Sequence, residues 1–183
     1  MHEYQKKSSD HLDTIYGFSI RRKLVGQYAW SIISDEFIQA IKAYGVDVLS
    51  VGAGSGYNEH LMSNAGISVV VTDPFPVGKN KFFADDCKIW SDTFHAMNAV
   101  DAIRYFSGHS LFMSWPAYAE DWPVEALMEY KGDLFFYIGE GCGGCCANDE
   151  FFEYLHEEFE MVKQYDIPQW YGIHDYAAIY RRK

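Results

Sequence analysis

Apolar runs of strand length alternate along this chain with segments whose apolar residues recur at helical spacing. Residues 46–51 are nearly all apolar, as expected for a central parallel strand covered on both faces. A glycine-rich stretch follows, then a predicted helix over residues 57–65 with Leu61, Met62 and Ala65 inward and Gly66 as its stop. Residues 68–72, SVVVT, make the second strand. A strand, crossover helix and parallel strand within about 30 residues is the minimal right-handed unit of an α/β sheet.

The same alternation extends in both directions. Upstream, residues 11–25 are loosely helical, with Leu12, Ile15, Tyr16, Ile20 and Leu24 able to share one side. Residues 26–30 interrupt. Ser34 then opens a clearer helix, with Asp35 and Glu36 in its positive first turn, Phe37, Ile38, Ile41 and Tyr44 as its apolar face and Gly45 as its end. Downstream of Asp73 the pattern weakens, because Pro74, Pro76, Gly78 and Asn80 leave no room for a regular helix. The third strand is placed at residues 81–84 or 87–90, with a helix over 95–106. Residues 111–115 form the fourth strand, Pro123 starts a helix running to Tyr130, and residues 134–138 form the fifth strand. Asn148 caps a helix carrying Phe152, Leu155 and Phe159, and residues 160–166 and 174–180 close the chain as an antiparallel hairpin. The fold class is therefore α/β, mostly parallel, in a single domain.

Composition narrows the partners. The 183 residues, 49% of them hydrophobic, suffice for one domain with a full core. The net charge of −11 repels a phosphate backbone, which argues against nucleic acid. Arg21-Arg22-Lys23 is the one basic cluster and reads as a solvated helix face. The start, MHEYQKKSSD, has no apolar core of signal-peptide length, and no run of about 18 apolar residues suits a membrane span. Three of the four cysteines crowd at Cys142, Cys145 and Cys146, unlike the spread framework of a small secreted protein, so a soluble protein of the reducing cytoplasm is expected. With His156 these cysteines lack the second ligand pair of a zinc site, and neither H-E-x-x-H nor G-x-S-x-G occurs.

The stretch VLSVGAGSGYNEHL, with Asp73 ending the second strand and SWPAY (residues 114–118) ending the fourth, resembles the class I S-adenosylmethionine-dependent methyltransferases. The resemblance covers residues 34–183 and implies a Rossmann-like sheet of seven strands with helices on both faces and an antiparallel last strand. Residues 1–33 would then be an N-terminal helical cap. It also implies S-adenosylmethionine as cofactor, held by Gly52, Ala53, Gly54, Gly56 and Tyr57 of the glycine turn, with Asp73 on the ribose hydroxyls. An acid after the third strand would meet the adenine: Asp92 by distance along the chain, with Asp85 and Asp86 as competitors. Ser114 and Trp115 would border the cofactor. The chain departs from the family at Ser50, where an acid usually stands two residues before the first glycine.

Loops after the first, fourth and fifth strands should converge on one crevice. Tyr118, in a segment that loosely resembles the D-P-P-Y motif of amino-methylases, and Glu140, a carboxylate ending the fifth strand, are the candidate catalytic residues. Tyr28 and Trp30 could cover the cofactor as a lid, although aromatic packing on the sheet edge is favoured. The expected function is methyl transfer to a small molecule or a protein. A non-catalytic binding protein of the same fold is the alternative, and a nicotinamide or flavin site ranks lower because G-A-G-S-G-Y departs from G-x-G-x-x-G.

Overall fold

The computed structural model describes residues 14–75, 87–170 and 172–183, with side chains from residue 20 onward. In chain order its elements are α1 (Thr14–Gln27), α2 (Asp35–Tyr44), β1 (Val48–Val51), α3 (Tyr57–Asn64), β2 (Val69–Thr72) and β3 (Phe94–His95). There follow α4 (Ala99–Tyr105), β4 (Ser110–Ser114), α5 (Trp122–Glu129), β5 (Leu134–Gly139), α6 (Asp149–Glu158), β6 (Phe159–Tyr165) and β7 (Tyr176–Arg182). All seven strands join one sheet in the order β3-β2-β1-β4-β5-β7-β6. The first five are parallel, while β7 runs antiparallel to both β5 and β6. The order reverses between β1 and β4, and there a doubly wound sheet opens a crevice.

Strand alternation builds a core on each face. Leu49, Val51, Leu111, Met113, Phe135, Tyr137, Ala178 and Tyr180 point to one side and meet α4, α5 and α6 through Ala102, Leu127 and Phe151. Their neighbours Val48, Phe112, Phe136, Ile138, Ala177 and Ile179 point to the other and meet Phe37, Ile41 and Met62 of α2 and α3. Both faces being covered, β1, β4 and β5 carry mostly apolar runs rather than alternating ones, with Ser50 a polar exception inside β1. Helix α2 has the expected ends: the Phe37 N–H donates to Ser34 Oγ at 3.3 Å, and Gly45 closes the helix at φ 64°.

The third strand differs from expectation. Residues 81–84, together with Asp85 and Asp86, lie outside the described residues, and residues 87–90 are irregular. The backbone of 87–90 has other partners: Lys88 N–H donates to Gly26 O at 3.1 Å and Trp90 N–H to Ser55 O at 2.9 Å. Phe94 and His95 instead pair with Val71 and Thr72. The helix expected from residue 95 therefore starts at Ala99, where Asn98 Oδ1 accepts from Asp101 N–H at 2.8 Å. Helix α1 runs to Gln27, past the expected end at Val25.

Ser50 and Glu59 form one of the buried polar pairs. Ser50 shares the face of Val48, towards α3, and its hydroxyl donates to Glu59 Oε1 at 2.6 Å. Glu59 is only 2% exposed, and burial pushes its carboxyl pKa up to about 7, against the lowering effect of the Ser50 hydroxyl and its own backbone N–H. Unfolded, the group titrates near its ordinary 4.5. Between those values the folded chain keeps a proton that the unfolded chain has lost, so Glu59 subtracts stability as pH rises through the window. Glu59→Gln should accordingly gain stability over the parent by up to about 1.4 kcal/mol per pH unit across it. Melting temperatures of the two proteins from about pH 5 to about pH 8 measure this, and a gap that does not change with pH would refute it.

Candidate functional site

A cavity of about 910 Å³ opens at the carboxyl ends of β1, β2 and β4. That volume lies in the upper part of the range for small-molecule sites, roughly 300–1,000 Å³. Its floor is the turn between β1 and α3. Gly52 sits at φ 65°, and a Cβ there would come within 2.7 Å of the Trp122 ring, so only glycine fits beneath this indole. The end of β2 pins the turn: Ala53 N–H donates to Thr72 O at 3.1 Å and Gly54 N–H to Asp73 Oδ2 at 3.0 Å. Asp73 Oδ1 accepts from Phe75 N–H at 2.9 Å. Burial raises the Asp73 pKa while these two N–H groups work to lower it. Each of its oxygens keeps a lone pair with which to accept a hydroxyl.

The walls come from distant segments that one side chain joins. Asn58, in the first turn of α3, accepts the Ile33 N–H at 3.0 Å and donates to Ser31 O and Ser114 Oγ, each at 3.0 Å. It thus ties the segment after α1 to the end of β4. The loops after β4 and β5 are clipped together as well, since Ala147 N–H donates to Pro116 O at 2.9 Å and Ala119 N–H to Ala147 O at 3.0 Å. Trp115 adopts φ 53°, a left-handed conformation that costs a non-glycine residue about 1–2 kcal/mol, and its N–H is held by Ile138 O at 2.7 Å. Its indole lines the cavity and stacks on Trp30 at 5.9 Å.

Among the candidates from the sequence, Gly52, Ala53, Gly54, Asp73, Ser114, Trp115 and Tyr118 line this one cavity. Gly56, Tyr57, Asp92 and Glu140 do not. Gly56 precedes α3 at φ 73° and faces Ser91. Tyr57 is buried against Tyr28 and Trp90, at 5.0 and 4.8 Å between ring centroids, on the outer side of the turn. Asp92, expected after the third strand, is exposed and precedes β3; the residues following β3 that reach the cavity are Asn98 and Ala99. Glu140 is 5% exposed, with Oε2 accepting Cys145 N–H at 2.8 Å and Oε1 accepting His174 N–H at 2.7 Å. Although burial opposes it, these donors hold its pKa below the usual carboxylate range, which makes Glu140 a weak base that ties β5 to the loop before β7. Trp30 borders the cavity, whereas Tyr28 packs outside it on Tyr57 and Trp90.

Several lining residues were not singled out from the sequence. Arg21, placed on a solvated face by its basic neighbours, turns into the cavity while Arg22 and Lys23 stay exposed. Asn58, Asn98 and Trp122 line it too, and Glu59 places a carboxylate beside Ser50, at the end of β1 where the resemblance expects an acid. Only Glu59 carried a usable signal, because an acid in the first turn of α3 directly follows the glycines; the others depend on loops meeting in space.

No protein-family model matches the sequence, and no curated protein matches it. Solved structures do match in fold. Magnesium protoporphyrin IX methyltransferase from Synechocystis PCC 6803, with bound SAM, is 10% identical with a TM-score of 0.56, the match covering 100% of this chain and 90% of that one. The TehB-like SAM-dependent methyltransferase from Corynebacterium glutamicum is 16% identical with a TM-score of 0.54, covering 93% and 100%. N-methyltransferase NodS from Bradyrhizobium japonicum WM9 is 13% identical with a TM-score of 0.52, covering 93% and 99%. The chain has the seven-stranded, Rossmann-like fold of the class I S-adenosylmethionine-dependent methyltransferases.

Proposed function

We propose that this protein binds S-adenosylmethionine over the turn of Gly52 and Gly54 and transfers its methyl group to a small molecule. The observation that supports this most is that the large cavity opens over a glycine turn whose adjoining strand ends in Asp73, in the fold of a methyltransferase solved with bound SAM. Bound there, the cofactor supplies a methyl group activated by its sulfonium. Asp73 would accept the ribose hydroxyls while still holding Gly54 N–H, and the turn would place backbone against the amino-acid portion. Residues 1–33 would act as a cap, since Arg21, Ala29 and Trp30 form part of the wall.

Methyl transfer depends above all on an in-line approach of the acceptor, which walls of fixed shape provide. Trp30, Trp115 and Tyr118 offer such walls on the side facing the loops after β4 and β5. The concave shape and the net charge of −11 favour a small acceptor over nucleic acid. One observation favours a second reading, a binding protein without catalysis: the Trp122 ring lies against Gly52, where the cofactor would have to pass.

Calorimetric titration with S-adenosylmethionine and S-adenosylhomocysteine tests the cofactor, and no heat from either would overturn the proposal. Release of S-adenosylhomocysteine when candidate acceptors are added separates an enzyme from a binding protein. Asp73→Ala should weaken S-adenosylhomocysteine by about 1.5–3 kcal/mol, the value of a hydrogen bond to a charged group. Its melting temperature must be followed alongside, because Asp73 also holds the turn. Unchanged affinity in a folded variant would put the ribose elsewhere.

A further inference from the structure

Arg21 is the one cavity residue whose position calls for a ligand of definite charge. Its guanidinium lies 5.2 Å from the ring centroid of Trp30 and 5.3 Å from that of Trp115. Two of its nitrogens, Nε and Nη2, are buried with no hydrogen-bond partner among the described residues. Buried donors are almost always satisfied, and a charged one left alone is costly, so such a pair marks a place where a partner is missing. Nε and one Nη also form the edge with which a guanidinium grips a carboxylate through two parallel bonds.

Among the described residues, neither Asp175 nor Glu140 fills that role. Asp175 is close enough for the Arg21 charge to act on it, but its Oδ2 is engaged by the Ser31 hydroxyl and its Oδ1 has no partner. Burial also raises its pKa to about 7, which leaves it partly neutral. Glu140 is engaged by the N–H groups of Cys145 and His174. The two indoles, meanwhile, hold the cation beside their stacked rings.

We propose that Arg21 is the carboxylate-binding residue of the cavity and that the methyl acceptor is a small, flat, apolar acid. The carboxylate would bind the Arg21 guanidinium from the cavity side, with its apolar body against Trp115, Ala117 and Tyr118. Arg21 and Trp30, from α1 and the segment after it, stand against Trp115 of the loop after β4 and near Cys145 of the loop after β5, whereas Asp73 belongs to the β2 side. That the acid is the acceptor rests on the methyltransferase reading; that Arg21 takes an anion does not.

The test is calorimetric titration of the full chain, with and without saturating S-adenosylhomocysteine, using benzoate and phenylacetate against their neutral amides. The acids should bind at least tenfold more tightly than the amides and weaken as salt is raised. Arg21→Gln should abolish that preference, and Arg21→Lys should keep part of it, retaining the charge without the fork. The melting temperature of Arg21→Gln is followed alongside, because the variant also loses the contacts with Trp30 and Trp115. Equal binding of acids and amides, or no binding of either, overturns the proposal, as does an acid affinity unchanged in Arg21→Gln. If that variant instead loses tenfold in S-adenosylhomocysteine affinity, Arg21 holds the carboxylate of the cofactor and the acceptor assignment falls. Acid binding in a protein that ignores S-adenosylhomocysteine would sink the cofactor reading while supporting Arg21 as an anion site.

Discussion

A turn that only glycine can make, held from below by the end of a neighbouring strand, is the constraint on which this molecule depends. Gly52 adopts a left-handed conformation under the Trp122 ring, and the next two residues donate their N–H groups to Thr72 and Asp73. The parallel pairing of β1 with β2 puts those acceptors within reach, with Val51 opposite Thr72. Loss of the register between the two strands would remove the floor of the cavity together with both hydrogen bonds. Helix α3 leaves from the same turn, so Asn58 and Glu59 inherit their positions from it.

Around that floor, polar side chains do what packing alone cannot: they join segments far apart in sequence. Asn58 holds Ser31, Ile33 and Ser114 together, and Glu140 holds the Cys145 loop to His174. Their hydrogen bonds are buried or partly buried, where an unpaired group costs most, so each network favours one arrangement of the walls. Glu59 and Asp175 follow a different rule, since burial raises both towards about 7. Of the two, Asp175 is the one coupled to Arg21, and its partial neutrality moderates the local field there.

Helix α2, with Ser34 and Gly45 at its ends, the glycine turn, the β1 and β2 strands and the terminal antiparallel pair could all be read directly from the sequence. So could the meeting of Gly52, Gly54, Asp73, Ser114, Trp115 and Tyr118, because a doubly wound sheet brings the carboxyl ends of its strands to one crevice. These features depend on local signals: caps within a turn, apolar runs of strand length, and glycines where the backbone must turn. The third strand did not share them. It is two residues long, and the apolar segment before it gives its backbone N–H groups to Gly26 and Ser55 instead of to β2.

By itself, then, the sequence determined the order of elements and the turn at the head of the sheet, since both follow from interactions between residues close along the chain. The tertiary structure decided which side chains face the cavity. Arg21 left its basic neighbours for the space beside Trp30 and Trp115, Trp122 came to lie over Gly52, and Glu59 reached Ser50. Each of these depends on a distance between elements, which periodicity does not encode, and on the cost of burying charge, which is set only once the surroundings are in place.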